Sequence, residues 1–421
     1  MFKNYASTLK GFNGNIKLLL LRTFIISLYV GIYGIIFNLY ILELGYNTDF
    51  LGIVLAIHTL ATSLAAVPSG ILCDRLDRKK LMLASGLLSL VATIPLYLFK
   101  SPAILLTCSA LTGAFVSIAS VCVTPLLAEN SCRKSSVHVF SANASLGWIA
   151  TVFGCALGGM LPGIWRNLPV HGYSDYQLTM LVSSVLLVAG WMIMFLLKRG
   201  DQSLAVDGRS MSFSGLTGGI RISPDMIRFV ITSGIFSIGS GMIVPYFNIY
   251  FLKVTHVGVF EIGIVSAVAG AFMVIGFMVI PLVTARIGKV RSAVVTKILS
   301  VPFLALMAVT TSFFAASTSY AIYMFFINIA GPATTSFQME QVKPHEQGLT
   351  SGLITTGSYL AISVSTYISG LLIAKGNFTL PFLGTCVAYM LTAMLLYHYF
   401  KGVEKEHGGL RLSRVLNKAI A

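Results

Sequence analysis

Long apolar runs separated by short polar stretches set the pattern of this chain from end to end. Runs at 17–43, 49–73, 81–99, 102–128, 138–163, 176–197, 225–252, 259–285, 292–313, 317–339, 348–374 and 379–400 approach or exceed the roughly 20 residues a bilayer-crossing helix needs. None shows the period-two alternation of a half-buried strand. A helix also satisfies its own backbone in lipid, so the pattern predicts twelve transmembrane helices. Turn chemistry fills the gaps, as in Leu44-Gly-Tyr-Asn47-Thr-Asp49 and Lys100-Ser-Pro102.

The pattern also repeats. Phe37-Asn38-Leu-Tyr40-Ile-Leu42 returns as Phe247-Asn248-Ile-Tyr250-Phe-Leu252, and Leu51-Gly52-Ile53-Val54 returns as Ile262-Gly263-Ile264-Val265. Glu129 closes one run and Glu340 another, 211 positions later. The same offset separates Gly70-Ile-Leu-Cys-Asp74-Arg75-Leu-Asp-Arg78-Lys79-Lys80 from a worn copy, Pro281-Leu-Val-Thr-Ala285-Arg286-Ile-Gly288-Lys289-Val-Arg291. Four landmarks in one order predict a parallel duplication. The expected organisation is a six-helix bundle at 1–197, a cytoplasmic linker at 198–224, a second six-helix bundle at 225–400 and a basic tail at 401–421.

Composition excludes a soluble multidomain protein. The chain is 56% hydrophobic and 10% charged, against about 45–50% and about 25% in soluble domains. The net charge of +15 has a topological reading. With both termini on one face, that face holds 25 of the 29 Lys and Arg residues, which makes it cytoplasmic. A multi-pass protein of the cell membrane is expected. Its basic residues are dispersed over short loops, so they suit anionic membrane lipids and not nucleic acid. The tail stretch from Leu410 to Lys418 is amphipathic and basic, and is expected to lie on the membrane surface. The first run is too long for a cleavable signal and should stay as a span. Six cysteines show no close ligand pair and are expected to pack, so no metal and no cofactor is anticipated. No nucleotide-binding glycine loop or nucleophile motif appears, so no catalytic residue and no enzyme is expected.

Residues 70–80 resemble the loop between helices two and three of the major facilitator superfamily, written G-x-L-x-D-R-x-G-R-R/K. Gly70, Leu72, Asp74, Arg75, Arg78 and Lys79 match, while Asp77 takes the place of a glycine. Asp tolerates a left-handed turn better than most residues, which accommodates the change. The copy keeps Arg286, Gly288 and Lys289 and has Ala285 in place of the acid. With the twelve runs and the duplication, the resemblance covers nearly the whole chain. It implies an all-α integral membrane fold of two pseudo-symmetric six-helix bundles. Gly154-Cys-Ala-Leu-Gly158-Gly159 further resembles an antiporter signature, with Cys155 for its proline and Ala150 for its first glycine. Close helix packing by small residues is the alternative account.

The resemblance implies that Asp74 approaches the amino terminus of helix eleven, near Gly348-Leu349-Thr350, where a helix dipole favours a carboxylate. A contact made only when the cytoplasmic side is closed would favour the outward-facing state; a solvated charge that sets topology is the other reading. Glu129 and Glu340 end their helices on the wrong side of the dipole and call for cations. Arg78 is the candidate for Glu129 and Lys289 for Glu340, giving two cytoplasmic latches, with exposed loop acids as the alternative. The expected conformational gate is therefore Gly70, Asp74, Arg75, Arg78, Glu129, Arg286, Lys289 and Glu340.

All fourteen acids lie in loops or near span ends. Proton coupling would then fall to Glu43, Asp49, His58 or the cytoplasmic acids; otherwise the protein is a facilitator. Arg22, Arg228 and Lys297 fall inside spans but near enough to their ends to snorkel. The resemblance places the substrate cavity chiefly among spans one, four, seven and ten, with contributions from two, five, eight and eleven. Candidates there are Tyr33, Asn38, His58, Asn143, Trp148, Tyr246, Asn248, Asn328, Gln338 and Tyr359. Aromatics with scattered amides suit a neutral or weakly charged amphipathic solute. The leading expectation is a monomeric secondary transporter that works by alternating access and exports such a compound, with protons as coupling ion. The alternatives are a uniporter or importer of a small neutral metabolite, a lipid translocator, and a non-transporting membrane sensor.

Overall fold

The computed structural model of the chain describes residues 13–131, 136–167, 172–197, 223–329, 331–343 and 347–400, apart from some side chains within helices, that of Asp74 among them. Residues 198–222 of the linker expected at 198–224, the tail at 401–421 with its amphipathic stretch, and Cys132 lie outside the described residues. Fourteen helices are described: α1 Gly14–Glu43, α2 Thr48–Arg75, α3 Arg78–Leu98, α4 Pro102–Asn130, α5 Ser136–Arg166, α6 Asp175–Leu196, α7 Pro224–Ile243, α8 Phe247–Val254, α9 Val259–Ile287, α10 Lys289–Val309, α11 Phe313–Ile329, α12 Gly331–Glu340, α13 Gln347–Ala374 and α14 Thr379–Phe400. They make twelve segments long and apolar enough to cross a membrane, with α7 and α8 forming one and α11 and α12 another. No strand occurs among the described residues.

The run expected as one helix over 225–252 is broken by a single 3-10 turn, Val244–Tyr246. Pro245 sits in that turn; it has no N–H for the helical ladder, and its ring crowds the preceding turn. Between α11 and α12, residue 330 lies outside the described residues.

Only 22% to 50% of each apolar window is buried by protein. Leu64, Phe153, Val185 and Met394 are 58–70% exposed. In water such a surface would drive association. In hydrocarbon it carries no such cost.

The chain divides into two compact units, Met1–Ile220 with Gly258–Ala267, and Arg221–Val257 with Val268–Ala421. In the first, α1 packs along α5 and α6, α2 along α4, and α3 along α4 and α6. In the second, α7 packs along α13 and α14, and α10 along α11 and α14. Each of these second-unit pairings has its counterpart in the first. Single atoms repeat it as well. Tyr40 donates its hydroxyl to the Tyr97 carbonyl at 3.0 Å, and its repeat mate Tyr250 donates to the Met307 carbonyl at 2.9 Å.

The start of the third span is reached differently in each repeat. Asp77 has φ −57° and accepts the Lys80 N–H on its carboxylate at 3.1 Å. It is therefore a helix cap for α3 and not the left-handed residue that its place in the motif suggested. Its mate Gly288 does adopt φ 89°, just before α10. Asp77→Ala is expected to cost about 1 kcal/mol and Asp77→Gly only a few tenths. Gly288→Ala should cost about 1–3 kcal/mol, because a side chain disfavours that backbone region. Thermal unfolding of the three purified variants checks the order.

Candidate functional site

Three places within the units combine buried structure with charge or polar chemistry. The first lies where α2 meets α3. Arg78 ends its side chain on Glu129, the penultimate residue of α4. Its Nε also points to the Cys73 carbonyl at 3.4 Å, at the end of α2. Lys79 Nζ donates to the Phe195 carbonyl at 3.1 Å and to the Leu197 carbonyl, closing the end of α6. Beneath these contacts Leu19, Cys73, Met82, Leu126, Val139 and Met194 form one apolar cluster from all six helices of the repeat.

The second unit repeats the device. Lys289 Nζ lies 2.6 Å from Glu340 and 2.9 Å from the Ser336 hydroxyl. Met226, Phe229, Val290, Phe337 and Phe400 pack together at the same end of that unit. Each ion pair joins a cation at the start of a third span to a carboxylate at the end of a fourth, which offsets the unfavourable helix-end charge. Arg75 and Arg286 are exposed. A Cβ added at Gly70 would meet nothing within 4 Å. The expected contact of Asp74 with Gly348-Leu349-Thr350 rests on a side chain outside the described residues.

The third place is a cavity of about 350 Å³ inside the first unit, between α1, α3, α4, α5 and α6. Ile26, Leu90, Phe115 and Leu187 give it apolar walls, and Arg22, Thr23, Ser27, Ser89, Asn143 and Trp191 give it polar atoms. Arg22 does not snorkel as its position suggested. Its Nε is buried without a hydrogen-bond partner. Lys297 does not snorkel either. It is 7% exposed, and its ammonium sits 4.8 Å from the centre of the Phe236 ring. Phe236 in turn stacks on Tyr389, whose hydroxyl meets those of Ser240 at 3.0 Å and Tyr323 at 3.1 Å. Arg228 pairs with Asp225 at 2.8 Å near its helix start.

Of the ten cavity candidates, only Asn143 lines this cavity. Tyr246 is fully buried and its hydroxyl is bonded to the Thr366 carbonyl at 2.6 Å. Asn38 and Asn248 are buried, and Asn248 accepts the N–H of Ile249 at 2.9 Å. Asn328 donates to the Met324 carbonyl at 3.0 Å, and Gln338 donates to Ser233 at 3.2 Å. Tyr33 stacks on Phe37 at 4.6 Å. Trp148 and Tyr359 are exposed at their surfaces, and His58 is half-buried. Arg22 and Lys297 are the functional candidates that the sequence undervalues. The signal that could have found them is depth, since each lies two turns inside its helix.

The glycines of the antiporter-like stretch are engaged in packing. A Cβ at Gly154 would lie 2.3 Å from the Leu28 carbonyl, and one at Gly158 would lie 3.1 Å from the Ile32 Cα. One at Gly159 would clash with the Gly263 Cα at 2.9 Å. Among the described residues, no cluster of three or more His, Cys, Asp or Glu could hold a metal ion. Among the described residues, none of the five cysteines forms a disulfide.

The family model of the Major Facilitator Superfamily matches residues 19–366. The chain belongs to the major facilitator superfamily. As a member it is a multi-pass membrane transporter. Among solved structures, the nucleoside transporter NupG is 12% identical, with 92% of this chain and 99% of that one covered and a TM-score of 0.71. A bacterial homologue of the iron transporter ferroportin, in an inward-facing state, is 15% identical over 91% of this chain and 98% of its own, with a TM-score of 0.72. A bacterial homologue of the human lysosomal transporter Spinster, inward-facing and unoccupied, is 13% identical over 91% and 92%, with a TM-score of 0.70. At these identities the likeness extends to the superfamily fold alone. No curated protein matches the chain.

Proposed function

We propose that this superfamily member is a cell-membrane secondary transporter, with both termini cytoplasmic, that exports a small amphipathic organic compound by alternating access. The observation that carries this reading is the cavity of the first unit. Its volume of about 350 Å³ falls in the range of small-molecule sites, roughly 300–1,000 Å³. Apolar walls with a few convergent polar groups suit an amphipathic solute. The gate of alternating access is assigned to the residues at the motif end, with Arg78–Glu129 and Lys289–Glu340 as latches and Asp74 as the switch between states.

Protons are the proposed coupling ion. Each described Asp and Glu in a helix lies within about a turn of that helix's end, so a carboxylate deep in the bilayer is not the carrier. His58 is the candidate within a span. Glu43, which accepts the Ser174 hydroxyl at the end of α1, is the candidate at the other end of the unit. Facilitated movement without a coupling ion is the second reading, favoured by the same lack of deep acids.

The test is flux of benzoate, benzamide and benzylamine into liposomes containing the full-length chain. At least one solute should move faster than through protein-free vesicles, and an imposed pH gradient should drive its accumulation. Flux without accumulation leaves the facilitator reading. No flux of any solute removes transport of this class.

A further inference from the structure

We infer that the first unit's cavity binds the anionic group, a carboxylate or a phosphate, of the transported solute, with Arg22 as its counter-charge; this rests on reading the chain as a transporter of a small organic compound. Donors and acceptors around the cavity do not balance. Arg22 makes no ion pair or hydrogen bond through its side chain among the described residues, and no carboxylate lines the space. Asn143 accepts the Thr23 hydroxyl on Oδ1 at 2.7 Å, which turns its NH2 group into the unmatched end of the amide. Ser27 and Ser89 line the space as further hydroxyl donors. Trp191 has committed its indole N–H to the Leu83 carbonyl at 2.8 Å, so its ring presents an apolar face.

Unmatched donors therefore converge where acceptors are already engaged. A guanidinium fork and an amide NH2 lining one cavity match the paired oxygens of a carboxylate or phosphate. A cationic solute would meet repulsion from Arg22. A neutral one would leave the guanidinium without a partner in low-dielectric surroundings. Lys297 provides the contrast within the second unit, because there an aromatic ring already faces the ammonium.

The test uses the full-length chain in lipid nanodiscs and isothermal titration calorimetry, with benzoate, phenyl phosphate, benzamide and benzylamine as probes. Benzoate or phenyl phosphate should bind, and the stronger of the two distinguishes a carboxylate from a phosphate subsite. Benzamide, which matches benzoate in shape, and benzylamine should bind at least about tenfold more weakly. Arg22→Gln should weaken the anion about ten- to hundredfold, and Arg22→Lys by less. If Arg22→Gln does not fold, the preference of the wild-type chain for benzoate over benzamide still decides. Equal binding of benzoate and benzamide, anion binding unchanged in Arg22→Gln, or no binding of either anion overturns the inference. Flux of a neutral or cationic solute alone would leave the transporter reading standing while this inference fell. Arg22-dependent anion binding without flux would do the reverse.

Discussion

Gly154→Leu is expected to leave no folded protein, while Gly34→Leu leaves it intact. The two positions differ in what a side chain would meet. At Gly154 a Cβ would stand 2.3 Å from the Leu28 carbonyl oxygen and 3.0 Å from the Gly31 Cα. Both neighbours are backbone of α1, so neither can swing aside as a side chain would. A Cβ at Gly31 would meet the same crowding in return, 2.3 Å from the Thr151 carbonyl oxygen. Around Gly34, further along α1, there is nothing within 4 Å. Overpacking a core costs about 1–3 kcal/mol and sometimes more. Here a whole leucine side chain must push α1 and α5 apart along their line of closest approach. Those helices hold the rest of the unit, since α1 also supports α6. The second unit makes the same demand, with Gly241 placing a Cβ 2.2 Å from the Ser365 hydroxyl and 2.8 Å from the Ile362 carbonyl. Gly241→Leu should therefore fail in the same way. Fluorescence-detected size-exclusion chromatography reads the outcome as loss of the monodisperse peak. A normal peak from Gly154→Leu would mean that α1 and α5 do not approach as described.

This contact also shows where a linear reading succeeds and where it stops. Spans are legible because lipid selects long apolar runs whatever their partners. The duplication is legible because both copies keep the residues that do the same task, as Tyr40 and Tyr250 do at the end of a third span. The Arg78–Glu129 and Lys289–Glu340 pairings follow from a carboxylate at the wrong end of a helix dipole, a local rule that needs no tertiary information. Direction around a helix is another matter. Sequence position sends Arg22 and Lys297 toward water, but which way each points is set by neighbouring helices, and apolar on all sides is the norm for a buried membrane helix. Nor does the sequence say that the hydroxyl of Tyr246 is already bonded to Thr366, which leaves it no donor for a solute. Asp77 illustrates a third kind of miss. A motif position records which residue is common there, while the chain solved the same turn with a side-chain cap.

Reversing the charge of Arg78 to Glu, or of Glu129 to Arg, should lower transport about tenfold while the double reversal restores most of it. The single changes put like charges at the latch, and the swap recreates an ion pair of opposite polarity. Stability should respond far less. The two side chains are 27% and 42% exposed, and pairs open to solvent contribute about 0–1 kcal/mol. A modest energy suffices for a conformational effect. Where a contact exists in one of two states, removing about 1 kcal/mol changes their ratio roughly fivefold, and like-charge repulsion adds to that. Arg78→Glu also loses the contact to the Cys73 carbonyl, so it should be the more damaging of the two singles and the loss that the swap restores least. The same experiment on Lys289 and Glu340 should give a parallel result, since their side chains are 27% and 54% exposed. The decisive measurement is solute flux in liposomes set beside the melting temperature of each variant. A fall in melting temperature that tracks the loss of flux, with no rescue in the double reversal, would make these pairs structural ties and remove them from the gate. Flux that recovers at a nearly constant melting temperature would fix their role in switching, because only a contact that differs between states can alter turnover without altering the fold.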